Sequence, residues 1–368
     1  MLISAVSPER VTLQAYCGCG TNKSPQSFRN KISVSPLPGV GESMQEMRSF
    51  APCAHLLDHV DSSYLDCVWD TVALLLAQAG VIDVRTPFAH SWCFRTIEDV
   101  DTGVMVDLPP RAREKSVERF TGFWPEWRRI GSVAEAIDEW REELRSGRAV
   151  AVTGDAFWMP WLPYHEKEHM THGFVVEGVE GGREPRIHVV DPYENVTRWG
   201  RAEPLATKIS LGDLGPALDQ GSWAALRSSG APEPIDPVRE VLANCEAIDG
   251  AHQEGTVSAF LSAHQEMTAE ALRELTLETW LLTRDRELHA LWLAEQGPGV
   301  EDFAGAMAED VVPKWRKLRE LTYVAVRRAE AGRSVPATVT DALAAALDAE
   351  ARTARAHLST DRIRRVTQ

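Results

Sequence analysis

The chain divides by the period of its apolar positions. In "SSYLDCVWDTVALLLAQAG", Val68, Val72, Leu75 and Ala79 recur at helical spacing. Ser63 followed by Asp66 resembles a capping box, and Gly80 is a stop signal. A second amphipathic helix is expected over residues 132–146, "SVAEAIDEWREELRS", closed by Gly147. The period then changes. "RAVAVTG", "HGFVVEGV" and "RIHVVDPY" are short β-branched runs, and "EGGRE" between the last two reads as a hairpin turn. From about Pro234 the strand signals stop. "APEPIDP" reads as a linker, and helical patterns follow over 238–252, 268–296, 300–332 and 338–358. Phe303, Met307, Val311, Trp315 and Leu318 mark one buried stripe, interrupted or kinked at Pro313.

This layout predicts an α+β domain over 44–232 and an all-α domain over 233–368. Residues 1–43 lack periodicity and are rich in Ser, Pro, Gly and Asn, so a disordered lead is expected there, with Met44 as an alternative start. With 368 residues the chain can bury a sizeable core. Its net charge of −15 argues against a general nucleic-acid or anionic-membrane binder. No apolar run approaches the roughly 18 residues of a membrane span. The six cysteines, Cys17, Cys19, Cys53, Cys67, Cys93 and Cys245, have no zinc-ribbon spacing. Together with the lack of a signal-peptide pattern, they suggest reduced thiols in a cytoplasmic protein.

Two chemistries compete around "MPWLPYHEKEHMTHGFVVEGV". "HEKEH" is a literal H-E-x-x-H, the zinc-peptidase pattern. That pattern works only on a helix, where histidines at i and i+4 share a face. Here Pro160, Pro163 and Gly173 bound the motif and a strand follows, so no metal and no other cofactor is expected. His165 and His169 are expected on the turn that leads into the hairpin. The second chemistry uses Cys67, His172 and Asp191. Cys67 lies at the start of a helix, where the dipole favours a thiolate; His172 opens a strand and Asp191 ends the next. The histidine would take the thiol proton, the carboxylate would orient the ring, and the thiolate would attack an acyl carbon. Each residue alone has a bland reading, as core thiol, strand-start hydrogen bonder or turn former; the order of the three favours a triad.

The segment "GRAVAVTGDAFWMPWLPYHEKEHMTHGFVVEGVEGGREPRIHVVDPYEN", with "LDCVWDTVALLLAQAG" upstream, resembles the butirosin-biosynthesis protein H N-terminal-domain family over about residues 60–200. The shared features are a strand ending in aspartate, a Leu-Pro-Tyr-like segment, a histidine beginning the next strand, a V-x-D strand end and a cysteine on the first helix. The resemblance implies a papain-like fold. It also implies an acyltransferase that passes an acyl group from a carrier-protein thioester to a small amine acceptor, in specialised metabolism such as antibiotic biosynthesis. The sequence departs from papain-type enzymes upstream of Cys67, where "DHVDSSYL" holds no Gln for the oxyanion hole.

Further candidates surround this core. Asp155 matches the family's strand-end aspartate; it either holds the incoming amine or caps the turn. Trp158 and Trp161 either wall an acyl channel or pack as core, and Tyr164 and His169 complete the candidate substrate set. Asp70, three residues after Cys67, would oppose a thiolate if ionised. For carrier docking the densest cationic run contains Lys314, Lys317 and Arg327, with Arg316, Arg319, Arg328 and Arg333 near them. The competing reading of that run is an ordinary solvated helix face paired with Glu320 and Glu330. Two other functions remain open: a cysteine hydrolase (a peptidase or off-loading thioesterase) on the same fold, and a non-catalytic binding protein.

Overall fold

A computed structural model describes residues 52–99, 103–107, 110–265 and 267–367. The expected lead over 1–43, the alternative start at Met44, and Cys17 and Cys19 lie outside the described residues. The elements run α1 (Cys67–Gln78), α2 (Thr86–Ala89), β1 (Thr96–Asp99), β2 (Gly103–Val106), α3 (Pro110–Thr121), β3 (Phe123–Arg129), α4 (Val133–Arg145) and β4 (Val150–Asp155). Then come β5 (Thr171–Glu180), β6 (Arg186–Asp191), β7 (Asn195–Thr197), β8 (Gly200–Ala202), β9 (Leu205–Ser210), α5 (Leu211–Leu214) and β10 (Ser222–Ser228). The helices α6 (Pro237–Gln253), α7 (Thr256–Ala263), α8 (Ala269–Ala294), α9 (Glu301–Ala306), α10 (Val312–Glu330) and α11 (Thr338–Thr367) complete the chain. The fold is mixed α+β, built on one six-stranded antiparallel sheet of order β3-β10-β4-β5-β6-β9.

Alternation along the strands gives the sheet two apolar faces. Ala151, Val175, Val190 and Ala224 pack with Val72, Leu75 and Leu76 of α1. The same cluster continues into Val241, Leu272, Leu288, Trp315 and Leu347 of the later helices, so α1 and those helices share one core. On the other face Val152, Phe174, Val189 and Trp223 pack with Ile137 and Trp140 of α4, and with Leu277, Trp280 and Leu281 of α8. Pro125 sits inside β3, which is tolerated because β3 is an edge strand and the missing N–H interrupts no ladder.

The stripe Phe303, Met307, Val311, Trp315 and Leu318 is buried. The regular helix is interrupted just ahead of Pro313. The chain widens to a π turn over Met307–Val311, and α10 restarts with Pro313 in its first turn, where a missing N–H costs nothing. The bundle closes on a buried polar node. Oε1 of Glu350 accepts from the indole N–H groups of Trp92 at 3.2 Å and Trp315 at 2.8 Å, and from Arg286 Nε at 2.7 Å. No helix among the described residues is long and apolar enough to cross a membrane.

Candidate active site

Cys67 is the first residue of α1. The N-cap is Asp66 rather than Ser63: its Oδ1 accepts from the N–H groups of Val68 and Trp69, each at 3.1 Å, while the Ser63 hydroxyl bonds to Glu194. Arg113 balances the charge of this cap, bridging Asp66 at 3.1 Å and Asp285 of α8 at 2.6 Å. Gly80, with φ of +87°, ends the helix.

Gly173 lets the start of α1 lie against β5. A Cβ at this position would stand 2.7 Å from the Cys67 carbonyl oxygen, inside contact distance. The residue before it is His172, so this close approach also brings the imidazole to the thiol. Cys67 Sγ lies 4.0 Å from the carbonyl oxygen of Thr171.

The His172 ring is shared between two partners. Nε2 donates to Asp191 Oδ2 at 2.7 Å. Nδ1 has no nitrogen or oxygen partner, and the remaining side-chain hydrogen bond of the ring is with Cys67. Register explains the first contact. Val175 pairs with Val190, so Asp191 comes level with Phe174 and shares its face with His172, two residues earlier. Three donors fix the carboxylate: His172, the Trp161 indole N–H at 2.8 Å, and the Tyr193 backbone N–H at 3.0 Å. Cys67 and His172 are 0% exposed and Asp191 is 1% exposed. Burial alone would depress the proton affinity of His172. The negative charges of Asp191 and Cys67 outweigh it and push the imidazole up to about 10.

Of the other candidates, Trp161 and Tyr164 stand beside Cys67, His172 and Asp191. Trp161 orients Asp191 and packs edge-on against Phe174. The Tyr164 hydroxyl is buried with Asn195 and Tyr193, and the Tyr193 ring stands edge-on to His172. Asp155, Trp158 and His169 form a separate surface group. Asp155 Oδ1 caps the N–H groups of Phe157 and Met170, and its Oδ2 pairs with His169 Nδ1 at 2.6 Å. His169 stacks on Phe157, and Trp158 is exposed. The segment from Leu162 to Glu168 is a series of turns with Glu166 at φ of +54°, so "HEKEH" lacks the helix its zinc chemistry requires.

Arg284 is a site residue that the sequence reading missed. It is buried, donates to the carbonyls of Ser62 and Leu65 ahead of Cys67 and of Glu194 after β6, and lies over the Trp280 ring. It ties α8 to the loop ahead of Cys67 and to the loop after β6. An arginine within a charged helical stretch carries no sequence signal for contacts some 220 positions away.

On α10, Lys314 is engaged by Asp310 and Arg316 by Glu287. Lys317 and Arg327 are exposed, roughly 80° apart around the helix, with exposed Glu320 between them.

No protein-family model matches the chain, and no curated protein matches it.

Proposed function

We propose that this protein is a papain-like cysteine acyltransferase of the kind found in the butirosin-biosynthesis protein H family. It carries an acyl group as a thioester on Cys67 and passes it to an amine. The observation that carries the reading is the division of the His172 ring, with Nε2 on Asp191 and Nδ1 left for the thiol. The proton shared between Sγ and the ring stays on Nδ1 as Sγ attacks the donor carbonyl. The donor thiolate departs with the proton from His172. The neutral imidazole then takes a proton from the attacking amine as the C–S bond to Cys67 breaks. Asp191 keeps the ring in place and stabilises the imidazolium. Hydrolysis shares every step but the last. The full burial of Cys67 favours an amine over bulk water as acceptor.

The test is partition. With the N-acetylcysteamine thioester of a short acid as donor, a millimolar primary amine should divert most of the acyl flux from acid to amide. Release of acid alone at every amine concentration would make the protein a hydrolase. An inert thiol would favour a binding role. A carrier protein as natural donor would dock through Lys317 and Arg327. Charge reversal at these two positions should then raise KM for a carrier-bound donor and leave the small thioester unaffected; equal effects on both donors would remove the docking role.

A further inference from the structure

The triad leaves one buried group beside it without a task. Asp70 is 0% exposed, and neither carboxyl oxygen has a hydrogen-bond partner. No other side chain among the described residues leaves two buried atoms unpaired. Such a group is costly to bury unless something occupies it. Asp70 lies three residues after Cys67, on the same face of α1. Helical side chains lean toward the N-terminus, so the carboxyl projects over the turn that carries the thiol.

The charged groups around Asp70 come from three elements: Arg284 of α8, Asp66 and Cys67 of α1, and Asp191 of β6. Burial holds the Asp70 carboxyl well above the usual carboxylate range. Arg284 opposes this, and the negative charges of Asp66, Cys67 and Asp191 reinforce it. Burial therefore favours the neutral carboxyl, which does not repel a thiolate as a carboxylate would.

The chemistry at Cys67 has a matching need. Attack on an acyl carbon places a negative charge on the carbonyl oxygen, and "DHVDSSYL" ahead of Cys67 offers no Gln to receive it. A carboxylic acid kept neutral in an apolar site is a strong donor to such an oxyanion.

We propose that the Asp70 carboxyl O–H donates a hydrogen bond to the acyl oxygen while Cys67 is being acylated and deacylated; this rests on the cysteine chemistry proposed above. As the Sγ–C bond forms, the carbonyl π pair moves to oxygen and is held by the Asp70 O–H, whose proton stays on Asp70. As the intermediate collapses, that pair re-forms the carbonyl and the leaving group departs with the proton from His172.

Two reagents separate this role from a structural one. p-Nitrophenyl acetate acylates Cys67 through an oxyanion; iodoacetamide alkylates the same sulfur at a saturated carbon, with no oxyanion. In the full-length protein, Asp70→Ala should slow p-nitrophenolate release by about 10²–10³-fold while leaving alkylation of Cys67 nearly unchanged. Asp70→Asn keeps an N–H donor and should recover most of the acylation rate. Asp70→Leu removes the donor at similar volume and replaces the alanine variant if that one does not fold. An unchanged ratio of the two rates in the donor-less variant, whether both fall or neither does, overturns the proposal. Cys67→Ala separates the two levels. A burst that survives it defeats the cysteine reading itself, whereas a Cys67-dependent burst with an unchanged ratio defeats only the role of Asp70.

Discussion

Cys67→Ala and His172→Ala are each expected to lower turnover by at least about 10³-fold, because either change leaves the remaining members without a partner in proton transfer. Asp191→Asn should cost about 10²–10⁴-fold, since an amide at Oδ2 disturbs the tautomer that presents Nδ1 to the thiol. Initial rates with a small thioester donor and an amine acceptor measure all three. Wild-type turnover in Cys67→Ala would remove the triad. The fold should survive the alanine at position 67, which occupies the first position of α1 under an intact Asp66 cap. His172→Ala should also change the pH dependence of stability. The folded imidazole binds its proton up to about 10, above the ordinary value of 6.5, so its contribution is fully present below about 6.5 and is lost as pH rises through 10. The wild type should lose stability across that window more steeply than the variant, as measured by chemical denaturation at several pH values.

Glu350→Ala should destabilise the protein by about 3–5 kcal/mol, the cost of removing one partner of a buried hydrogen-bonded ion pair, with Arg286 keeping only Asp285 at 3.8 Å and the Cys93 carbonyl at 2.8 Å. Arg286 would lose its carboxylate, and the Trp92 and Trp315 indoles their acceptor, all in the core. Glu350 lies on α11, Arg286 on α8 and Trp315 on α10, with Trp92 contributed from before β1, so the node joins the helices to the sheet-bearing part. Urea denaturation reads the loss directly; a change under about 1 kcal/mol would mean that the node is relaxed by water or by neighbours.

The parts of the fold that the sequence expressed clearly were those with local signals. α1, α4 and the β4-β5-β6 run are continuous apolar or alternating segments bounded by turn residues, and Cys67, His172 and Asp191 fall at their ends. β3 and β10 were not legible. "FWPEWRR" contains a proline and three charges, and "SWAALRS" suits a helix as well as a strand. Both become strands through pairing: β10 inserts between β3 and β4 although it follows β3 by nearly a hundred residues. α7 was hidden because the chain turns twice within a short span, at Gly255 and His264. At the site, the bond from the Trp161 indole to Asp191 had no local signal, and Asp155 caps a turn and pairs with His169. Arg284 depends on contacts between distant segments, which periodicity does not encode.

A thioester on Cys67 can be trapped and located. The full-length protein is mixed with the N-acetylcysteamine thioester of acetic acid, quenched in acid within seconds, digested and mapped by mass spectrometry. One acetyl group is expected on the peptide carrying Cys67, discharged when a primary amine is added before the quench, absent from Cys67→Ala and formed far more slowly in His172→Ala. No acetyl group on Cys67, or one that forms equally fast without His172, would contradict it.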